Sequence, residues 1–207
     1  MTRPHSPTLY RQLTRFFFHT CPVLILAVMC VNGISGSLAQ AMAHQNTPSA
    51  VPKVRPTDVE SVDAIIKTLY EVISGPAGQK RDWDRFRSLL HPSARLIPTN
   101  PTPTGGSEAH TYDGEGYIQR ASAYFEKSGF YEREIARKSE QFGNIVQVFS
   151  TYESLHSPQD AKPFARGINS IQLLKDGNRW WVMTVFWDTE RPDNPIPEAY
   201  LPKSKTR

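Results

Sequence analysis

Cysteine is nearly absent. The 207-residue chain holds two, Cys21 and Cys30, and both fall within the first 43 positions. From His44 onward there is no thiol, which excludes thiol catalysis, iron–sulfur ligation and Cys-based zinc sites there. It also suits an oxidising compartment, where a stray thiol is a liability. Long apolar runs are equally scarce. The longest is Val23 to Val31, less than half of the roughly twenty residues that a membrane-spanning helix needs. Counting back to Phe16 reaches that length only by including His19, Pro22 and Asn32. Basic charge is scarce where nucleic acid would need it. The net charge is +4, yet positions 57–202 carry 16 Lys and Arg against all 20 acids. A nucleic-acid binder displays its basic excess on the folded surface, so nucleic acid is excluded as a partner.

The first 43 residues have the three parts of a secretory signal. Arg3, Arg11 and Arg15 stand without acids, the apolar run follows, and the small-residue patterns Ser37-Leu38-Ala39 and Ala41-Met42-Ala43 close the segment. Thr20 and Met29 precede the two cysteines, which does not fit lipid attachment. We expect residues 1–43 to be removed after Ala39 or Ala43 and the product to be exported, periplasmic or secreted, with no stable membrane span after processing. An N-terminally membrane-anchored form is the alternative. Residues 44–56 read as a polar, Pro-containing linker, 57–202 as one domain, and 203–207 as a disordered tail.

Within the domain the periodicity predicts three helices. Thr57-Asp58-Val59-Glu60 has the form of a capping box. Val62, Ile65, Ile66, Leu69, Val72 and Ile73 then form one apolar stripe, stopped by Ser74-Gly75-Pro76. A short helix starts near Asp82 with Trp83, Phe86, Leu89 and Leu90, and Pro92 closes it. Ala94 to Ile97 reads as a brief strand and Pro98 to Ser107 as a loop. A third helix follows Asp113 and carries Tyr117, Ile118, Ala121, Tyr124 and Phe125. After Gly129 come four runs rich in β-branched and aromatic residues, Phe130–Phe142, Asn144–Leu155, Phe164–Leu174 and Arg179–Asp188, punctuated by turn signals. Three helices followed by a four-strand antiparallel meander make an α+β fold, with the helices gathered on one face of the sheet.

Three stretches carry a family resemblance: Phe86-Arg87-Ser88-Leu89-Leu90-His91-Pro92-Ser93-Ala94-Arg95-Leu96, Gly167-Ile168-Asn169-Ser170-Ile171-Gln172-Leu173-Leu174, and Gly177-Asn178-Arg179-Trp180-Trp181-Val182-Met183. In this order they resemble the nuclear transport factor 2-like superfamily, including its polyketide-cyclase-like (SnoaL-like) members, over about residues 58–190. The resemblance implies a cone-shaped, curved antiparallel sheet wrapped around the N-terminal helix, open at a mouth that leads to an apolar pocket. It also implies homodimers through the exposed sheet face. The fold hosts enzymes and non-enzymatic binders alike, so it does not choose between them. Steroid-isomerase relatives place a catalytic acid at the end of the first strand, and that position falls on or beside Pro98, which cannot accept a proton.

Candidate site residues follow from chemistry and placement. His91 is the titratable group closest to a pocket rim and the weak candidate for catalysis; capping of the short helix is its structural alternative. Asp82 and Asp84 form a carboxylate pair that helix capping explains better. His110, Glu108 and His156 do not have metal-ligand spacing, and no cofactor fingerprint is present. Arg166, Asn169, Ser170 and Gln172 interrupt an apolar strand. Polar groups facing a core must be hydrogen-bonded, and Asn169, with Ile171 and Leu173, is assigned to the pocket face. We expect the pocket to be lined by Tyr70, Tyr117, Trp187 and Asn169, with His91 and Arg166 nearer its mouth and the Pro98–Ser107 loop as a lid. The function read from this is an exported domain that binds a small apolar or aromatic molecule without a cofactor. The alternatives are a dehydratase, cyclase or hydrolase acting on such a molecule, and an accessory domain for another exported protein. A homodimer is expected on the outer sheet face, where Val146, Val148 and Tyr152 recur at period two.

Overall fold

The computed structural model describes residues 53–203. The expected leader, its cleavage sites, most of the linker and the end of the tail lie outside the described residues. Two helical pieces open the fold. α1 (Pro56–Val59) is a single turn with Pro56 at its first position, where the missing N–H has no role. The chain breaks at Glu60-Ser61 and restarts as α2 (Val62–Ile73), capped by Ser61, whose Oγ accepts from the Ala64 N–H at 3.0 Å. The capping box expected at Thr57–Glu60 therefore does not start the main helix. Pro56 seeds a turn earlier, and Asp58 is drawn into an ion pair with Arg85 at 2.8 Å that pins the turn to α3. α3 (Trp83–Leu89) and α4 (Gly114–Phe125) are capped by Asp82 and Asp113, whose carboxylates accept from Arg85 and Gly116.

The sheet departs from the expected architecture. Six strands are present: β1 (Leu90–Pro101), β2 (Ser107–Ala109), β3 (Tyr131–Phe142), β4 (Ile145–Leu155), β5 (Ala165–Asp176) and β6 (Arg179–Thr189). Their order is β2-β1-β6-β5-β4-β3, and β1 runs parallel to β6. The sheet is thus mixed, not an antiparallel four-strand meander. It is also open, with β2 and β3 as unjoined edges, and it is not closed or strongly curled, so the cone wrapped around a helix is overturned. Turn signals report only neighbours in sequence, whereas β1 and β6 are brought together from opposite ends of the domain.

Three prolines hid the length of β1. Pro92, Pro98 and Pro101 all lie within it, and the stretch from Pro98 expected as a loop is the end of this strand plus a hairpin into β2. Pro98 is tolerated because its carbonyl accepts from the His110 N–H at 3.1 Å. A strand residue's N–H points to the same side as its C=O, so the missing donor faces the short β2 edge. Pro98 and Asn100 of this segment line the outer cleft described below, while the tip of the hairpin lines neither cavity. On the other side of the sheet, β3–β4 and β5–β6 are joined by two-residue Gly-Asn turns. Gly143 and Gly177 sit there in the left-handed region, at φ +53° and +57°, which glycine adopts without strain.

Side-chain parity divides the sheet cleanly. Val146, Val148, Ser150 and Tyr152 of β4, Asn169, Ile171 and Leu173 of β5, and Val182 and Val185 of β6 are buried against the helices, so Val146, Val148 and Tyr152, expected on the outer dimer face, lie on the inner face instead. The opposite face carries Phe149, Ile168 and Phe186. The C-terminal segment crosses part of that face. The Thr151 hydroxyl donates to the Tyr200 carbonyl at 2.6 Å, and the Tyr200 ring lies 5.6 Å from Phe149. Arg81 closes the corner between α2 and α3. Only 5% exposed, its guanidinium donates to the carbonyls of Ile73, Gly75, Pro76 and Gln79 at 2.7–3.1 Å and lies over Phe125.

Candidate functional site

Between the helices and the inward face of the sheet lies a cavity of about 100 Å³. Beside it, sharing part of its wall, is a cleft of about 620 Å³ between α4, the ends of β1 and β6, and Phe164. Tyr117, Phe130, Glu132, Tyr152 and Trp187 line both spaces. The shared wall is aromatic because four elements each bring a ring to it: Tyr117 from α4, Phe130 from the segment before β3, Tyr152 from β4 and Trp187 from β6. Phe86 of α3 stacks on Tyr117 at 5.3 Å, and Trp187 meets Tyr117 edge-on at 6.4 Å. Such pairs fix each other's orientation.

The one acid in both linings is Glu132. It pairs with Ser154 across β3–β4, so its side chain points inward. The Ser154 hydroxyl donates to its Oε2 at 2.9 Å, and the Asn169 amide lies 3.5 Å from Oε1. Burial dominates over these two hydrogen bonds and pushes the carboxyl up to about 7. Near neutral pH the group therefore exists in both protonation states. Burial and the nearby Glu132 also raise the Tyr70 and Tyr117 hydroxyls, and they push Tyr152 up to about 12.

A hydrogen-bonded row runs behind Glu132. Asn169 Nδ2 donates to the Tyr70 hydroxyl oxygen at 3.1 Å, the Tyr70 and Ser150 hydroxyls lie 2.7 Å apart, and Ser150 donates to Glu134. Because Ser150 gives its proton to Glu134, Tyr70 gives its own to Ser150. Tyr70 is thereby committed to its neighbours. Arg137 in turn binds Glu134 and Asp63, which ties the row to α2.

Four of the six residues proposed from the sequence meet here: Tyr70, Tyr117, Asn169 and Trp187 all line the inner cavity. The other two lie elsewhere. His91 Nδ1 bonds the Ser93 hydroxyl at 2.7 Å, and its ring meets Trp181 edge-on on β1, away from both spaces. Arg166 is locked to Glu190 by two hydrogen bonds of 2.8 and 3.0 Å. Pro98 lines the outer cleft, but the acid comes from β3. Asp82 caps α3, and Asp84 pairs with Arg87. Glu132 was missed because Tyr131–Gln141 reads as an alternation of charges on an outward face. In the structure Glu132 and Glu134 share one face, and a bulge at Ile135, which no local signal announces, brings Arg137 to that face beside them. Among the described residues no helix is long and apolar enough to cross a membrane.

No protein-family model matches the chain, and no curated protein does. Solved structures do. A protein of unknown function with a cystatin-like fold from Nostoc punctiforme is 10% identical, matching over 66% of this chain and 92% of its own with a TM-score of 0.48. A putative calcium/calmodulin-dependent protein kinase type II association domain from Thiobacillus denitrificans is 10% identical, over 63% and 96%, at 0.49. An NTF-2 like protein of unknown function from Silicibacter pomeroyi is 12% identical, over 62% and 92%, at 0.42. The likeness is distant and of fold alone.

Proposed function

We propose that the chain binds a small, largely apolar or aromatic molecule in the Glu132 cleft. The observation that carries this reading is the pairing of an aromatic-walled cleft with a small inner cavity and one polar anchor, the composition typical of small-molecule sites. A ligand of the folded state adds about 2.7 kcal/mol at a hundredfold excess over its dissociation constant. For a domain of this size that is a rise in melting temperature of about 5–10 °C. A thermal-shift screen of apolar and aromatic metabolites is expected to find such hits, with quenching of Trp187 fluorescence. If no compound shifts the melting point, the binding reading fails and an accessory domain for another exported protein takes its place.

One observation favours a second reading, an enzyme of dehydratase, cyclase or hydrolase type. A carboxyl brought to about 7 can give and take a proton at neutral pH. Turnover of a screening hit that is lost in Glu132→Gln, with binding retained, separates catalysis from binding. Membership of the polyketide-cyclase-like branch is likewise proposed, from the segments 86–96, 167–174 and 177–183.

Export and dimerisation complete the proposal. The leader pattern supports the first. Exposed Phe142, Ile145 and Phe186, left outside the cover of Tyr200, support the second. Native mass spectrometry of the recovered protein reads both, and it is expected to give a dimer of chains beginning after Ala39 or Ala43. A chain that retains Met1 to Val31 overturns export of a processed form, and a monomer overturns the dimer.

A further inference from the structure

We propose that the Glu132 cleft recognises an amine: a small aromatic or alkyl molecule with one cationic nitrogen, for which Glu132 is the counter-ion and the surrounding rings are the walls. This rests on the small-molecule reading above and names the chemistry of its ligand.

The first support is the state of the other sheltered acids. Among the described residues, Asp58 pairs with Arg85, Glu134 with Arg137, Glu153 with Arg133, Asp188 with Arg191 and Glu190 with Arg166. Glu132 is the one acid there that is not exposed and has no cationic partner. Sheltered carboxylates are ordinarily paired, because an isolated buried charge is costly. The pattern leaves one counter-ion position unfilled, and that position opens onto a cleft.

The second support is what surrounds it. Tyr117, Phe130, Tyr152 and Trp187 line the space into which the carboxyl faces. Aromatic faces carry negative potential and attract ammonium groups, most strongly when solvent is excluded. The inner cavity, about 100 Å³, has room for an ammonium-sized head, and the outer cleft, about 620 Å³, has room for the body. An anionic ligand is disfavoured at depth, since it would meet Glu132, and the only cation in the cleft lining is Arg120.

The groups that face Glu132 are Tyr70 from α2, Tyr117 from α4, Tyr152 and Ser154 from β4, and Asn169 from β5. None is cationic. Lys67, Arg133 and Arg137 line a groove between α2 and β3 that Glu132 and Tyr70 also border, and there the three cations are engaged by Glu71, Glu153 and Glu134. When an ammonium enters, the Glu132 proton is released to solvent and the pair forms as carboxylate and cation. Amine affinity must therefore rise with pH while the amine itself stays protonated. A neutral hydrogen-bond acceptor would need the protonated acid and show the opposite slope.

The test is calorimetric titration of the full chain with benzylamine and its neutral counterpart, benzyl alcohol. Benzylamine affinity is expected to rise by about thirtyfold between pH 5.5 and 8.5, the factor for a site that must lose one proton near neutrality. Benzyl alcohol should bind far more weakly at the upper pH. Glu132→Gln, which mimics the protonated acid in shape, should abolish the pH dependence and weaken benzylamine at least tenfold. If that variant does not fold, the two wild-type pH series decide alone. Benzyl alcohol binding as tightly as benzylamine, or benzylamine affinity that is flat or falls with pH, overturns the amine proposal and leaves the small-molecule reading standing. Absence of binding by both probes, with no hit in the wider screen, overturns both.

Discussion

Replacing Arg81 by methionine should remove about 4 kcal/mol of folding stability, more than almost any surface change would. The guanidinium serves four carbonyls, those of Ile73, Gly75, Pro76 and Gln79, at the point where α2 ends and the chain turns toward α3. A helix leaves its last carbonyls without intrahelical partners, and here a single planar fork satisfies one of them together with the loop that follows. Methionine fills a similar volume against Phe125 but donates nothing. Each buried carbonyl left without a partner costs about 1–3 kcal/mol, and relaxation of the loop recovers part of the sum. Lysine is a point charge on a flexible stem and cannot reach four acceptors at once, so Arg81→Lys should recover less than half of the loss. Urea unfolding of the three proteins measures this directly. A methionine variant whose midpoint and slope match the wild type would show that the corner is held by packing alone.

Arg81 also shows what the sequence could and could not tell. Local signals placed the helices well. The stripe on α2, the caps at Asp82 and Asp113 and the turn signals Gly143-Asn144 and Asp176-Gly177 each act over a few residues, and a window of that size contains the whole interaction. The four C-terminal strands lie within a residue or two of the runs read from composition. What failed was long-range. Nothing near Leu90 states that it will lie beside Val182, so the parallel β1–β6 pairing and the mixed, open sheet were invisible. Prolines in β1 imitated a loop because propensity ignores which edge of a strand faces a partner. At the site, Asn169 and Trp187 could be placed because inward parity follows from apolar neighbours on the same strand, and Tyr70 and Tyr117 because they lie beside the apolar stripes of α2 and α4. Glu132 could not, since β3 has few apolar residues to declare its inner face, and the bulge at Ile135 changes parity midway.

Glu132 should also make the wild-type protein less stable in mild alkali than in mild acid, and this is the second large effect. Its carboxyl sits at about 7 in the folded state, against 4.5 when unperturbed, with burial as the main cause. A group whose folded value is raised binds a proton in the native state that the unfolded chain has already lost. Stability then falls as pH rises between the two values. The contribution is fully present below the unfolded value and is lost as pH passes through the folded one. Between pH 5 and pH 8 the loss comes to about 2–3 kcal/mol. Arginine partners hold Asp58, Glu115 and Glu190 below their ordinary range. These acids act with the opposite sign, and only in acid below that window. The difference between wild type and Glu132→Gln from pH 5 to 8 therefore isolates Glu132. Glu132→Gln has no proton to lose at this position, so its unfolding free energy should fall less across the window than that of the wild type. It should match the wild type near pH 5 and exceed it near pH 8. A sheltered carboxyl kept at this cost fits a binding anchor better than a structural strut. Urea unfolding of both proteins at the two pH values is the check. Wild-type and variant curves that run parallel would mean that the carboxyl is solvated and ionised throughout, and the polar anchor of the cleft would then have to be sought elsewhere.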